Sequence, residues 1–331
     1  MKHGSHNRPV PGLPFLLSEA EQEKGDLSGL LLGDYRLVAK LATGGMAEVW
    51  LADVIGGRDA GRSVVVKRLL PFLRRQPDCV QRFRSEAELG SRLSHPNLAR
   101  CYGLLQLGDD LFLAQELVGG ETLALLSAAA RRDGSRLLPE AVVHAFSGLL
   151  SALQHLHGQQ LVHADVNPEN VVARPDGTVK LIDLGLAQPL GPDGSVPSPD
   201  GALRGTPSYM SPEQVKSRPL DARSDLFSAA ITLWELLANR PLFSAEVEFE
   251  TLRRVRELPA PPLRAVWPEA PVSLERLLVR ALAKDPAQRF QSAAELLQEL
   301  GEAASRAGLP DGQPSLAAAV AQWAPKAPKA D

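Results

Sequence analysis

The chain has 331 residues, with 36 basic and 39 acidic side chains and 44% apolar residues, which is the composition of an ordinary globular protein with room for two modest domains or one two-lobed domain. The net charge of −3 is spread without long blocks of one sign, which argues against nucleic-acid binding and against a polybasic membrane patch. No apolar run reaches the roughly 18 residues of a membrane span, and residues 1–28 lack the layout of a signal peptide, so we expect a cytoplasmic protein.

The first part of the chain predicts a leader followed by a sheet. Residues 1–28 contain Pro9, Pro11 and Pro14 and no hydrophobic period, which is typical of a poorly ordered segment. From Tyr35 onward, short apolar runs rich in β-branched residues predict strands, and one stretch of helical spacing interrupts them. The strands are predicted at Tyr35–Leu41, Glu48–Val54, Ser63–Lys67 and Leu111–Leu117, and the helix at Arg82–Leu93.

Beyond residue 120 helical spacing dominates, so the second half is predicted to be mainly α-helical. Two short strand-like runs, Val171–Ala173 and Val179–Ile182, flank a Pro-Asp-Gly turn and predict a small hairpin. Residues 188–204 are rich in proline and glycine and predict a long surface loop. The helices are predicted at Leu123–Arg132, Glu140–His157, Ser224–Ala238, Leu274–Leu282 and Ser292–Ala304.

The tail after Gly308 is rich in proline, alanine and lysine, but Leu316, Val320 and Trp323 recur at helical spacing. Two explanations fit this pattern. The segment is either a short helix folded back on the domain, which we favour, or a helix that docks a partner protein.

Two features of the first half have residue types suited to phosphate binding, and each also has a purely structural explanation. Gly44 and Gly45 lie between two strand runs, where they allow backbone N–H groups to point at a phosphate but also suit an ordinary hairpin turn. Lys67 ends the apolar run Val64–Val66, where a cation can clamp a polyphosphate or simply mark the point at which a strand meets water.

The loop His163–Asn170 carries three short polar side chains, Asp165, Asn167 and Asn170. An EF-hand is excluded because its sixth position requires glycine, and Asn170 stands there. Farther along, Asp183 follows a buried strand directly. Asn170 and Asp183 offer the hard oxygen ligands that Mg²⁺ takes together with phosphate oxygens, and metal-free turn chemistry remains the alternative.

In their order and spacing these motifs resemble the eukaryotic-like Ser/Thr protein kinases of bacteria over about residues 35–302. The resemblance implies an α+β protein with a two-lobed protein kinase-like fold, made of a small β-rich lobe with one key helix and a larger, mainly α-helical lobe. The implied division is a disordered leader at 1–34, the N-lobe at 35–118, the C-lobe at 119–302 and a Pro/Ala-rich tail at 303–331. The matching markers are the glycine hairpin, Lys67, Glu86, His163–Asn170, Asp183–Gly185, Gly205–Glu213, Asp225 and Arg289.

The resemblance also implies that the chain binds ATP with Mg²⁺ and phosphorylates a protein substrate. Lys67 would hold the α- and β-phosphates and be fixed by Glu86, while Asp165 would orient the acceptor hydroxyl. Asn170 and Asp183 would be the metal ligands. The nucleotide-binding residues would be Leu41, Gly44, Gly45, Val49, Val65, Lys67, Glu116, Val118 and Val172.

Four further residues would support this site. By the same resemblance, Glu213 and Arg289 would form a buried ion pair that anchors the activation segment. Asp225 would brace the loop His163–Asn170, called the catalytic loop below, by accepting hydrogen bonds from backbone N–H groups. Thr206 would touch the catalytic aspartate, which is typical of kinases that prefer serine and threonine.

The sequence departs from the family pattern at Ala42, Ala47, Ala164 and Asn167. The first two replace glycines, where a methyl group narrows the allowed backbone and is expected to lower the affinity for ATP. Ala164 removes an arginine that in many members grips a phosphorylated loop. Asn167 replaces a lysine at the γ-phosphate; we count it as a catalytic residue that donates a hydrogen bond without charge, and we expect a loss of about 10² to 10³ in rate.

Three functions are therefore compared. We favour a slow Ser/Thr protein kinase, because Lys67, Glu86, Asp165, Asn170 and Asp183 are all present. The alternative is a pseudokinase that acts as a binding and scaffolding module, which the four departures motivate. The third possibility is a small-molecule kinase. The segment Gly205–Glu213, which by the resemblance docks a peptide, is retained and argues against it.

Overall fold

The computed structural model describes residues 26–196 and 203–324, which form a sheet lobe followed by a helical lobe. The strands in these ranges are Leu31–Leu32 (β1), Tyr35–Thr43 (β2), Ala47–Val54 (β3), Ser63–Leu69 (β4), Cys101–Leu107 (β5), Asp110–Glu116 (β6), Glu121–Thr122 (β7), Leu161–Val162 (β8), Val171–Ala173 (β9), Val179–Leu181 (β10) and Gln188–Pro189 (β11). The α-helices are Pro77–Arg92 (α1), Leu123–Arg132 (α2), Pro139–Gly158 (α3), Pro212–Val215 (α4), Ala222–Ala238 (α5), Glu248–Glu257 (α6), Val272–Ala281 (α7), Ala293–Arg306 (α8) and Gln313–Trp323 (α9).

The sheet lobe is built on six antiparallel strands in the order β1-β2-β3-β4-β6-β5. Alternation of side chains along the strands places Trp50 and Phe112 on one face, where they form an apolar cluster. The other face is covered by α1, whose Phe83 packs with Leu113 of β6. Because α1 buries this side against the sheet, Glu86 is also buried and faces the inner strands.

The helical lobe has α3 and α5 at its centre, and both are buried along most of their length. Trp234 of α5, for example, is 1% exposed. The β9–β10 hairpin packs on α3, where Gly148 leaves room for Val179. Asn170 immediately precedes this hairpin and Asp183 follows it closely, so the two residues lie at its open end.

The tail forms a helix that is part of the helical lobe. Leu316 and Val320 of α9 are 0% and 2% exposed and belong to the same apolar core as α3. At the end of α9, the indole Nε1–H of Trp323 donates to the Asp133 carboxylate at 2.7 Å. The predicted helix folded back on the domain is therefore confirmed, and residues 325–331 lie outside the described ranges.

The predicted fold class is confirmed, and the differences concern particular elements. Helix α1 begins at Pro77, five residues earlier than predicted from its apolar spacing. Strand β5 was not predicted, because Gly103 and Gln106 interrupt its apolar run. Helix α6 was not predicted either, because six of its ten residues are charged and only Thr251 and Val255 are buried.

The predicted leader needs a correction at its end. Leu31 and Leu32 pair with Arg36 and Tyr35, and Leu32 is 4% exposed, so residues 26–34 belong to the sheet lobe. The prediction of disorder is wrong for these residues, because Leu32 is buried in the apolar cluster on one sheet face and Leu27 and Leu30 pack against that cluster. Residues 1–25 lie outside the described part of the chain. None of the helices between residues 26 and 324 that the structure describes has the length and apolarity needed to cross a membrane.

Candidate active site

A cavity of about 260 Å³ lies between the two lobes. Its upper wall comes from β2, β3 and β4, its lower wall from β9, and the segment after β6 closes it. Most of the lining is apolar, which suits a flat, largely apolar ring system. Seven of the predicted nucleotide-binding residues line this cavity, namely Leu41, Val49, Val65, Lys67, Glu116, Val118 and Val172.

The connection between the lobes presents a free backbone edge to this cavity. Within the described ranges, neither the N–H nor the C=O group of Val118 has a hydrogen-bond partner. The Glu116 side chain is occupied, because it accepts a hydrogen bond from Lys180 Nζ at 2.9 Å. Val118 therefore offers one donor and one acceptor to a ligand, while Glu116 ties the connection to β10.

A second cavity, of about 310 Å³, shares Val49, Lys67 and Asp183 with the first. It extends below the β2–β3 hairpin toward the catalytic loop, and polar groups converge on it. The predicted residues that line it, besides the shared ones, are Gly44, Gly45, Glu86 and Asp165. The two cavities together have the division expected for a nucleotide, with an apolar compartment next to a polar one.

The glycine hairpin turns without strain at the two alanines that replace family glycines. Ala42 and Ala47 lie in β2 and β3, and neither they nor Gly44 and Gly45 have a positive φ. The turn is closed by a hydrogen bond that the Gly44 N–H donates to the Ala47 carbonyl at 2.8 Å. Since extended backbone accepts a methyl group, Ala42 and Ala47 do not distort this hairpin.

Lys67 lies between two carboxylates in the polar cavity. Its Nζ donates to Glu86 Oε1 at 2.8 Å and lies 3.3 Å from Asp183 Oδ2. Gln115 Nε2 also donates to Glu86 Oε1, at 3.2 Å, so the carboxylate is held from two sides. This arrangement connects β4, α1 and the segment after β10 through one ammonium group.

The pKa values of Lys67, Glu86 and Asp183 depend on one another. Burial lowers the pKa of Lys67, but the carboxylates of Asp183 and Glu86 outweigh it, so the pKa is raised and the ammonium stays charged. The Lys67 charge lowers the pKa of Asp183, which remains ionised. For Glu86, burial dominates and raises the pKa above its ordinary value.

The catalytic loop is held in place by a buried aspartate of α5. Asp225, 1% exposed, accepts backbone N–H bonds from His163 at 2.9 Å and from Ala164 at 2.8 Å, as predicted. It also pairs with His157 Nε2 at 2.8 Å. Ala164 has a φ of +63°, so these bonds hold the loop in a left-handed conformation that directs Asp165 toward the cavity.

Asp165 receives several hydrogen bonds from the chain itself. Thr206 donates to Asp165 Oδ1 through its backbone N–H at 3.0 Å and through its hydroxyl at 3.1 Å. Asn170 Nδ2 donates to the Asp165 carbonyl at 3.0 Å and approaches Oδ2 at 3.3 Å. The predicted contact of Thr206 with Asp165 is therefore confirmed, and the carboxylate has a defined orientation.

Asn167 is placed differently from the other predicted catalytic residues. It is 2% exposed and does not line either cavity. Its Nδ2 donates to the Asp165 carbonyl and to the Thr206 hydroxyl, and its Oδ1 accepts from the N–H groups of Glu169 and Asn170. All of its hydrogen-bonding capacity is used inside the protein, so no donor is left for a phosphate.

The two predicted metal ligands lie close together at the open end of the β9–β10 hairpin. The Ile182 N–H donates to the Asn170 carbonyl at 2.8 Å, which places Asp183 next to Asn170. Within the described residues, Asn170 Oδ1 has no hydrogen-bond partner, whereas Asp183 Oδ1 accepts from the Gly185 N–H at 2.9 Å. An amide oxygen and a carboxylate are donors that fit Mg²⁺.

The segment that follows the cavity is anchored by the predicted ion pair. Arg289 donates to Glu213 through two nitrogens, at 2.7 and 2.9 Å, and the Ser224 hydroxyl donates to the same carboxylate at 2.7 Å. Upstream, Val196 forms a bridge with Leu220 and packs near Ala164 in a small apolar cluster. Apolar side chains therefore surround Ala164, the position at which many kinases have an arginine.

Ile182 and Gln115 are among the residues of the site that the sequence did not predict. Ile182 lines the apolar cavity, although its neighbour Asp183 was predicted. Gln115 supports Glu86, and the alternation of β6 could have indicated that it faces the same side of the sheet as Leu113.

Comparison with known proteins agrees with this geometry. A family model described as the protein kinase domain matches residues 35–300. A probable serine/threonine-protein kinase of Streptomyces coelicolor is 37% identical over 272 residues, which cover 80% of this chain and 39% of that protein. The tyrosine-protein kinase MasK of Myxococcus xanthus is 35% identical over 269 residues, which cover 79% of this chain and 41% of MasK. The chain thus spans about two fifths of the length of these curated relatives.

A solved structure shows the same architecture. The crystal structure of the PknI kinase domain of Mycobacterium tuberculosis is 28% identical in sequence, with a TM-score of 0.64, and the match covers 83% of this chain and 98% of that one. The family match and the identity to these relatives extend over most of the described residues. The chain therefore belongs to the protein kinase domain family.

Proposed function

We propose that this chain is an ATP- and Mg²⁺-dependent protein kinase that transfers the γ-phosphoryl group of ATP to a serine or threonine hydroxyl of a protein. The observation that carries the proposal is the convergence of Lys67, Glu86, Asp165 and Asp183 on one polar cavity, although these residues come from distant parts of the sequence. Charged side chains with shifted pKa values that meet in a cleft are typical of a functional site, and here they lie beside an apolar compartment that suits a ring system.

The apolar cavity would hold the adenine ring. Val49 and Val65 would cover one face of the ring and Val172 the other, while Leu41 would close the entrance. The free N–H and C=O groups of Val118 would recognise the ring edge. Gly44 and Gly45 would bring the hairpin backbone close to the phosphates.

In the polar cavity, Lys67 would bind the α- and β-phosphates, with Glu86 fixing its position. Asp165 would accept or orient the proton of the acceptor hydroxyl. Asn170 and Asp183 would hold Mg²⁺, which when bound neutralises charge on the phosphate oxygens. The chain's own contribution is to position these groups and to supply fixed charge, which is how phosphoryl transfer is mainly accelerated.

The choice of acceptor residue is part of the proposal, because the curated relatives include both a serine/threonine kinase and a tyrosine kinase by name. The contact between the Thr206 hydroxyl and Asp165 supports serine and threonine. Three predictions from the sequence stay predictions. They are the lobe boundaries at 35–118 and 119–302, a cytoplasmic location and a partner for the tail.

The test is transfer of labelled γ-phosphate from ATP to the chain itself or to a generic protein, with and without Mg²⁺. Asp165→Asn should lower the rate by about 10² to 10⁴, because it removes the proton acceptor. Asp109→Asn is the matched control, since Asp109 is an exposed carboxylate in the β5–β6 turn, and it should leave the rate unchanged. Phosphoamino-acid analysis of the product identifies the acceptor.

Two results would overturn the proposal. Nucleotide binding, seen as a thermal shift, without transfer at any ATP concentration would favour a scaffold role. Phosphorylation of a metabolite but never of a protein would favour a small-molecule kinase.

A further inference from the structure

The amide of Asn167 has only one orientation that satisfies its neighbours. One of its polar atoms faces two donors, the backbone N–H groups of Glu169 and Asn170, at 2.9 and 3.1 Å. That atom must be the oxygen, because an amide nitrogen accepts no hydrogen bond. The nitrogen therefore faces the Asp165 carbonyl at 3.1 Å and the Thr206 hydroxyl at 3.2 Å, where it acts as the donor.

This orientation decides the direction of the Thr206 hydroxyl. Its oxygen lies between Asn167 Nδ2 at 3.2 Å and Asp165 Oδ1 at 3.1 Å, and it carries a single proton. Since Asn167 Nδ2 is a donor, the hydroxyl accepts from it and must donate its own proton to Asp165. The result is a directed chain of hydrogen bonds from Asn167 through Thr206 to the carboxylate.

The two oxygens of Asp165 are consequently unequal. Oδ1 accepts both the Thr206 N–H, at 3.0 Å, and the Thr206 hydroxyl, at 3.1 Å. Oδ2 receives only a long approach from Asn170 Nδ2, at 3.3 Å. Oδ1 is filled by the chain's own donors, and Oδ2 keeps the capacity to accept a proton.

We propose that Asn167 is a positioning residue that acts through Thr206 to fix Asp165 so that Oδ2 receives the proton of the acceptor hydroxyl. This inference rests on the proposed kinase function. In the step concerned, the O–H bond of the substrate breaks and its proton goes to Asp165 Oδ2. The substrate oxygen bonds to the γ-phosphorus of ATP, and the bond to the β-phosphate oxygen breaks, with its electron pair leaving on ADP.

The chain of hydrogen bonds also crosses between two segments. Asn167 belongs to the catalytic loop and Thr206 to the segment Gly205–Glu213, and the two residues are 39 positions apart. The chain of hydrogen bonds therefore exists only while this segment holds Thr206 in its position. The inference assigns Asn167 no contact with the phosphate, in agreement with its 2% exposure and its occupied donors.

The test is a double-mutant cycle in the full chain, with kcat and KM for ATP as the measurements. Asn167→Ser is preferred to Asn167→Ala, because a serine oxygen can still accept from the Glu169 N–H and preserve the turn, yet is too short to reach Thr206. It should lower kcat by about 10-fold or more and leave KM for ATP within about 2-fold. In the Thr206→Val background the same change should lower kcat by less than about 2-fold, because the hydroxyl it acts through is absent.

Thr206→Ser is the matched control, since it keeps the hydroxyl, and in that background Asn167→Ser should again lower kcat by about 10-fold. Equal losses in the Thr206→Val and Thr206→Ser backgrounds would overturn the inference. A raised KM for ATP with unchanged kcat would also overturn it, because it would indicate direct phosphate binding.

A second measurement does not depend on activity. The Thr206 N–H donates to Asp165 Oδ1, so hydrogen exchange across residues 204–210 reports the same arrangement. Asn167→Ser should speed this exchange by about 10-fold at an unchanged melting temperature, whereas Asp109→Asn should not. If Asn167→Ser leaves the exchange unchanged, the proposed role of Asn167 is wrong, even in a chain that phosphorylates nothing. If the exchange becomes faster but no phosphate is transferred, only the proposed kinase function is wrong.

Discussion

Replacing Arg289 with methionine is expected to destabilise the fold by about 3–5 kcal/mol, because it leaves a buried carboxylate without its partner. Arg289 is 1% exposed and donates five hydrogen bonds, two to Glu213 and three to backbone carbonyls. Methionine has a similar length and no donors. The loss therefore comes mainly from the polar partners left behind rather than from a cavity.

The loss should depend on pH in a defined direction. Burial raises the pKa of Glu213, but the hydrogen bonds from Arg289 outweigh it and hold the pKa below its ordinary value. In the variant burial remains, opposed by the hydrogen bond from Ser224 and a backbone hydrogen bond, so the pKa should rise and the carboxyl should protonate more readily. The loss in free energy of unfolding caused by Arg289→Met is then largest near pH 8. It is smaller near pH 5, because a protonated Glu213 carboxyl places no charge in the interior.

The assay is urea unfolding of the wild type and the variant at both pH values. Glu213→Gln combined with Arg289→Met should be less destabilised near pH 8 than Arg289→Met alone, because no unpaired charge is buried. Arg306→Met is the matched control, since Arg306 is 55% exposed, and it should change stability by less than about 0.5 kcal/mol. A loss for Arg289→Met below about 1 kcal/mol, or the same loss at both pH values, would refute the reasoning.

Three further predictions concern other parts of the molecule. Glu86→Gln should lower kcat/KM by about 10- to 100-fold in steady-state assays, because the amide carries no charge to hold Lys67, and an unchanged value would contradict this role. Leu316→Ala should lower the free energy of unfolding by about 2–5 kcal/mol in urea titrations, because Leu316 is fully buried; a loss no larger than that of the exposed Phe249→Ala would contradict it. The stability of the wild type relative to Lys284→Met should rise between about pH 7 and about pH 10. Burial and Arg289 lower the pKa of Lys284 to about 7 in the folded chain, so in this range the unfolded chain binds more protons. A difference in stability that does not change with pH would contradict this prediction.

The order of chemical groups along the chain was enough to predict most of the site's composition. Lys67 lies near the end of strand β4 and Asp183 follows strand β10 closely, so the neighbourhood of these two residues could be inferred from local patterns. Asp165 was placed by the resemblance of its loop to the protein kinases. The distances between these residues could not be inferred, because the 3.3 Å approach of Lys67 to Asp183 depends on how the two lobes meet.

The substitutions that depart from the family pattern show where sequence reasoning fails. Ala42 and Ala47 looked like defects because glycine is usual there, but both have ordinary strand backbone. Asn167 looked like a weakened phosphate contact, whereas its partner Thr206 lies 39 residues away and could not be found from local spacing. Side-chain direction is set by tertiary hydrogen bonds that residue identity alone does not specify.

Helix α9 changes where the independent folding unit ends. The family match stops at residue 300, yet Leu316 and Val320 lie in the same apolar core as α3. Proteolysis that removed the chain after residue 300 would uncover an apolar stripe on α3 and expose it to aggregation. The folded core of this protein kinase domain therefore includes α9, which lies beyond the last residue of the family match.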